Sequence, residues 1–315
     1  MNTATKLGSY ALGLAVLFGG ALGVGKAVGP TTKSAAAPHV EEHATAAAPH
    51  AEEHPQQQQA QSDTPGGLQV SQNGYTLNPI TSITTGVPTD FKFTVIAPDG
   101  KPLTDYQVEH DKKLHFIVAS RDLTSFQHIH PNLADDGTGT WSVKLTLPKP
   151  GAYRAFADFV PKGGEKLTLG VDLQAAGDYR PEPLPHVSRT AAVDDYTVNL
   201  SGDLVPGRSS KLTLTVSKDG EPVTDLQPYL GAYGHLVALR AGDLAYLHVH
   251  PEESDKAGPE IVFYAEVPSR GDYRLFLDFQ HEDKVRTASF TATATLSDGH
   301  APSATHSHTQ SASRP

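Results

Sequence analysis

The stretches "FKFTV" (91–95) and "KLTLTV" (211–216) alternate apolar and polar side chains, the pattern of strands buried on one face. Near them "PDG" (98–100) and "KDG" (218–220) read as turns, and the other apolar runs are short and interrupted by Gly and Pro. After residue 30 no apolar pattern of useful length follows the helical period. An all-β chain of short strands is predicted.

The pattern occurs twice. "PDGKPLTDYQVEHDKKLHFIVAS" from Pro98 aligns without a gap on "KDGEPVTDLQPYLGAYGHLVALR" from Lys218, at an offset of 120 that also holds for "GAYRAFADF" (151–159) and "GDYRLFLDF" (271–279). Upstream, "YTLN" (75–78) matches "YTVN" (196–199) with one residue gained or lost between. A self-match of this length indicates two copies of one domain. Two tandem immunoglobulin-like β-sandwiches are expected, over residues 68–176 and 189–297, with the Pro-rich stretch 177–188 as a short, stiff linker.

The N-terminus is different in kind. From Leu7 to Gly25 no charge interrupts 19 residues, a helix of roughly 28 Å, close to a bilayer core. Residues 1–29 are read as an uncleaved membrane anchor, with a cleaved signal segment as the alternative. Residues 30–67 are rich in Ala, Pro, Gln, Glu and His and read as a disordered linker, as do residues 298–315 as a tail. The linker repeats "APHVEEH" as "APHAEEH", setting His39, His43, His50 and His54 beside paired glutamates; the tail adds His300, His306 and His308. Both segments offer weak capture of divalent ions.

Composition then narrows the chemistry. The chain has 315 residues, a formal charge of −10, no Cys, and Met1 as its single Met. The acidic balance offers no basic patch, so no nucleic-acid partner is expected. Without thiolates or thioethers, any metal site must use His, carboxylate or backbone oxygen, which disfavours cuprous copper.

The sequence "DGEPVTD", the His-led strand, "HVHP" and "GDYRLFLDF" together resemble bacterial secreted immunoglobulin-like modules of the YtkA-like and FixH-like kind. The segment "YLGAYGHLVALRAGDLAYLHVHP" looks like a module of secreted or anchored actinobacterial proteins. The resemblance covers residues 68–297 and implies an immunoglobulin-like sandwich in an extracytoplasmic setting, with metal handling among some relatives.

His115, His128, His130 and Asp158 of the first copy recur at equal spacing as His235, His248, His250 and Asp278. His128 and His130 are two apart on a strand and face the same way. A tight turn near Arg121–Leu123 makes paired residue numbers sum to about 243–245, which sets His115 opposite His128 or His130. In the second copy, with Gly242 in the turn, a sum near 483–485 sets His235 opposite His248 or His250. Facing Cβ atoms lie about 4.5–5.5 Å apart, near enough for three imidazoles to converge. Each copy is therefore expected to hold a divalent ion, Cu(II) or Zn(II). Asp158 and Asp278 are read as fourth ligands, as acceptors that fix a His tautomer, or as ion-pair partners, Asp158 with Arg154. The competing reading is a buried His–Asp hydrogen-bond network that pins the hairpin.

The expected function is extracytoplasmic metal binding or sequestration, with the metal ion and the membrane as partners and no catalysis. One alternative is a metal-dependent redox enzyme, although neither cupin nor copper–zinc dismutase spacing is present. The other is a surface adhesion or assembly module in which the His are structural.

Overall fold

The computed structural model describes residues 64–252 and 254–295. No helix occurs among the described residues; the apolar stretch 7–25, the linker and tail histidines and Glu253 lie outside them.

The first repeat contains β1 (Ser71–Gln72), β2 (Tyr75–Pro79), β3 (Thr89–Ile96), β4 (Leu114–Ser120), β5 (Phe126–Ile129), β6 (Asn132–Leu133), β7 (Thr140–Leu145), β8 (Gly151–Phe159) and β9 (Leu167–Ala175). The second contains β10 (Thr190–Val193), β11 (Tyr196–Ser201), β12 (Ser209–Lys218), β13 (Glu221–Pro222), β14 (His235–Arg240), β15 (Val249–Pro251), β16 (Glu260–Glu266), β17 (Gly271–His281) and β18 (Lys284–Ala294). All pairings are antiparallel. The first repeat forms the sheets β1-β2-β3-β7-β6 and β5-β4-β8-β9; the second forms β10-β11-β12-β16-β15, with β13 on β12, and β14-β17-β18.

Each repeat closes its two sheets over its own core. In the first, Phe91, Phe93, Phe116 and Trp141 are buried together, and Phe93 stacks on Phe116 at 4.7 Å. Trp141 Nε1 reaches the core wall and donates to Tyr106 Oη at 3.0 Å, so its one polar atom is satisfied. In the second, Tyr196, Phe263, Tyr273, Phe279 and Phe290 fill the equivalent space. Each such side chain contributes on the order of 1.5–3 kcal/mol by leaving water. The "GxYR" motif also has a structural use. Tyr153 Oη donates to Lys149 O at 2.9 Å and Tyr273 Oη to Ser269 O at 2.8 Å, the tyrosine corner of immunoglobulin-like sandwiches.

β4 is buried along its whole length. Phe116 and Val118 face the first core, whereas Ile117 and Ala119 point the other way, into a third apolar cluster with Leu123, Phe156, Val237, Leu239, Leu244 and Phe276. This cluster lies between the repeats, and its members are counterparts: Ile117 and Val237, Ala119 and Leu239, Phe156 and Phe276. Phe126 stacks on Phe276 at 3.9 Å, and Tyr246, the counterpart of Phe126, lies 5.6 Å from Phe156. Each repeat thus offers the same face to the other, as in an isologous interface.

Two connecting segments are held against this interface. In the linker, Leu184 packs on the apolar cluster and the Glu182 amide donates to Asp122 Oδ2 at 3.1 Å. Ahead of the first repeat, Gly67 N donates to Thr168 O at 2.7 Å, Arg154 Nε donates to Gly67 O at 2.7 Å, and Tyr246 N donates to Gly66 O at 2.9 Å. Only glycine fits beneath this strap at position 170, where a Cβ would lie 2.0 Å from Gly67 O.

Candidate metal centre

β4 and β5 pair with Phe116 opposite Ile129 and Ile117 opposite His128, so His115 falls opposite His130, at the upper end of the predicted register. Along β8, His115 lies opposite Asp158. The ligand nitrogens of His115, His128 and His130 all lie within 4.8 Å of one another. His115 Nδ1 is 3.2 Å from His128 Nε2 and 3.2 Å from His130 Nε2. Ring centroids are separated by 5.4 Å (His115–His128), 5.0 Å (His115–His130) and 4.8 Å (His128–His130). Zinc–nitrogen bonds of about 2.0–2.1 Å at tetrahedral angles put ligand nitrogens about 3.3 Å apart and ring centroids about 5 Å apart.

The outer nitrogens decide how the inner ones are presented. His115 Nε2 lies 3.2 Å from Glu109 O, a carbonyl that can only accept, so Nε2 carries the hydrogen. His128 Nδ1 lies 2.7 Å from Asp278 Oδ2, with both side chains about 5% exposed, so Nδ1 donates to the carboxylate. These assignments leave lone pairs on His115 Nδ1 and His128 Nε2, which face each other. Two lone pairs at this distance repel unless a cation lies between them, either a metal ion or one extra proton shared by the rings. Burial, and then the neighbouring rings, press toward neutral imidazole. His115 is pushed down to about 4 by burial and next by His128, and His130 to about 3 by burial and next by His128 and His115.

The second repeat does not repeat this cluster. Its hairpin starts in the predicted register, with Leu239 opposite Tyr246 and Leu247 N donating to Ala238 O at 2.9 Å. The chain then leaves β14. Val249 pairs with Ala265 and His250 with Tyr264, on β16 of the other sheet. In the first repeat the same change of sheet comes only after Pro131, at β6. The expectation that His235, His248 and His250 converge is therefore corrected. His248 and His250 are exposed and contact each other, with ring centroids 3.9 Å apart.

The two aspartates also differ in their surroundings. Thr168 Oγ1 donates to Asp158 Oδ1 at 2.8 Å, and Thr287 Oγ1 to Asp278 Oδ1 at 2.5 Å, as expected of counterparts. Asp158 also has Lys166 Nζ at 3.1 Å. The strand position matching Lys166 is Val285, opposite Gln280, which brings no charge. Asp278 is left to accept from His128 across the interface, while Asp158 is already neutralised and makes no bond to His248. Neither aspartate joins the converging inner nitrogens, since Asp278 binds His128 at its outer Nδ1 and Asp158 is held by Thr168 and Lys166, and Arg154 pairs with Asp172 at 2.8 Å rather than with Asp158.

His235 remains at the interface. Its Nε2 donates to Tyr229 O at 2.7 Å, the counterpart of the His115 bond to Glu109 O. Its centroid is 6.3 Å from both His115 and His128. Burial pushes it down to about 4. His110, where the second repeat has Leu230, sits in a tight turn at φ 48° and brings its ring 5.4 Å from His235. A cavity of about 60 Å³ is lined by His110, His115, His128, His235, Asp158 and Lys166, room for about two waters.

The molecule is thus an immunoglobulin-like β-sandwich protein with a histidine cluster between two facing repeats. The chain belongs to the family described as domain of unknown function DUF8832, whose pattern matches residues 69–179 and again 191–295. No curated protein matches it. Solved structures that it is similar to include FdeC, an Escherichia coli adhesin, at 14% identity and TM-score 0.24, covering 71% of this chain and 65% of that one. Invasin, a bacterial integrin-binding protein, is similar at 14% identity and TM-score 0.22, covering 70% of this chain and 39% of that one. MtrC from Shewanella baltica is similar at 10% identity and TM-score 0.23, covering 71% and 70%.

Proposed function

We propose that His115, His128 and His130 bind a divalent ion, zinc or cupric copper, and that the protein works as an extracytoplasmic metal-binding or sequestration module. The observation that carries this reading is the committed outer nitrogens. A carbonyl and a carboxylate take the Nε2 hydrogen of His115 and the Nδ1 hydrogen of His128, which turns two lone pairs toward one point at ligand spacing. Three imidazoles without thiolate or thioether suit these ions. The extracytoplasmic setting and the membrane anchor rest on the charge-free stretch 7–25. The resemblance to secreted YtkA-like and FixH-like modules supports the same setting.

The test is elemental analysis of the full chain purified without a His tag, followed by zinc and copper titration. One tightly bound ion per chain, lost in His128→Ala and His130→Ala and retained in His248→Ala, is the expected result. Absence of any such ion sinks the proposal.

A second reading is favoured by the same distances. At 3.2 Å the His115–His128 contact is also a hydrogen bond if one proton sits between the rings, and the Asp278 carboxylate then balances its charge. The cluster would pin the repeats together without metal, as a purely structural or adhesive module requires. A melting temperature unmoved by zinc or copper supports it, because an ion bound only by the native state stabilises by mass action.

A further inference from the structure

We infer that His235 of the second repeat is the fourth ligand of the ion held by His115, His128 and His130, so that the ion fastens the two repeats to each other. This rests on the proposed metal reading and extends it from a site within one repeat to a site shared by both.

Three observations point to His235. It lies at 6.3 Å from His115 and at 6.3 Å from His128, ring centre to ring centre, against about 5 Å for co-ligands of one tetrahedral ion. His235 thus stands outside the group of nitrogens within 4.8 Å of one another, and closing the gap of about 1.3 Å is part of the inferred binding. Its Nε2 hydrogen goes to Tyr229 O at 2.7 Å, which leaves the lone pair on Nδ1, the atom that His115 also presents. Among the described residues Nδ1 has no hydrogen-bond partner, and the ring lines the same small cavity as His115 and His128. His110 is a poorer fit: its ring is as far from His115 as that of His235, at 6.3 Å, but it is exposed and makes no ring contact with His128, packing instead on His235 at 5.4 Å.

The second repeat already contributes to this site. Asp278 orients His128, and the Tyr229 ring lies 6.2 Å from His130 and 5.8 Å from His235. With His235 bound, the ion would take three ligands from one repeat and one from the other, with a carboxylate of the second holding a ligand of the first. Loss of the equivalent cluster in the second repeat is then no defect, since one shared ion satisfies both His115 and His235.

The test uses the full chain, zinc as the probe, and His235→Gln. Gln retains an N–H in place of Nε2 for Tyr229 O but has no imidazole lone pair to offer. Zinc affinity is read by competition with a chromophoric chelator, and the number of imidazoles by zinc X-ray absorption. The expected result is four imidazoles in the natural chain, three in His235→Gln, and at least a tenfold weaker zinc affinity in the variant. Melting in chelator should be the same for both, which shows that the variant folds; His235→Asn is the substitute if it does not. Three imidazoles in the natural chain, or an unchanged affinity in His235→Gln while His128→Ala abolishes binding, overturns the inference and leaves the metal reading standing. No zinc binding by the natural chain overturns both.

Discussion

Asp278 gives the sharpest perturbation, because the molecule carries its own control. Asp278 Oδ2 accepts from His128 Nδ1 at 2.7 Å across the interface, whereas its counterpart Asp158 is occupied by Lys166 and Thr168 and forms no hydrogen bond with a ligand histidine. Replacing Asp278 by Ala releases the tautomer that turns His128 Nε2 inward. Removing such an outer carboxylate costs about 10–100-fold in metal affinity, or about 1.4–2.7 kcal/mol. Asp158→Ala removes no hydrogen bond to a ligand histidine and leaves a lysine side chain that is 38% exposed, so a smaller loss than in Asp278→Ala is expected. The assay is zinc competition against a chromophoric chelator at neutral pH, on variants whose far-UV spectrum matches that of the natural chain. Equal losses in the two variants, or no loss in Asp278→Ala, would refute the idea that the cross-repeat carboxylate sets the ligand tautomer.

Further outcomes follow from the interface and the buried rings. Phe276→Ala removes the ring stacked on Phe126 at 3.9 Å and should cost about 3–5 kcal/mol; Trp141, the single tryptophan, reports the first repeat, so urea transitions by its fluorescence and by circular dichroism should coincide in the natural chain and separate in the variant. Gly170→Ala sets a Cβ against Gly67 O at 2.0 Å, and hydrogen exchange at the Tyr246 amide, which donates to Gly66 O, should rise while exchange in β12 stays unchanged. His115, His130 and His235 are pushed down to about 4, 3 and 4, below the unfolded value of about 6.5, so the unfolded chain binds more protons as pH falls. Their stabilisation is full above pH 6.5 and declines as pH falls toward 4; a urea midpoint in chelator that stays flat over that window contradicts the burial of these rings.

The sequence carried the strands well, because their causes are local. Alternation in "FKFTV" and "KLTLTV" marks β3 and β12 directly, and the hairpin sum fixed His115 opposite His130 to within one pairing step. The stretches "LHFIVAS" and "HLVALR" contained a second signal, since a continuous apolar run rather than alternation marks a strand buried on both faces. That signal points to an interface but does not say with what. The absence of the second cluster was not legible, because it lies in the pairing of Val249–Pro251 with β16 of the other sheet, and the difference between the aspartates lies at Lys166 and Val285, one strand away from the motif. The pairing of His128 with Asp278 was hidden for a similar reason: each residue has a counterpart in its own repeat, and only the packing of one repeat on the other selects the crossed partner.

The reciprocal contacts, Phe126 on Phe276 and Tyr246 on Phe156, bear on ancestry. They are the contacts that two separate copies of one module make when they meet about a twofold axis. A single-copy ancestor joined in this way would contain two equivalent crossed His–Asp pairs. After the copies became one chain, a substitution could affect one half alone, and the second half was free to commit its His-x-His segment to a different sheet. Among the described residues one such cluster is present, and His248 and His250, the counterparts of His128 and His130, are exposed.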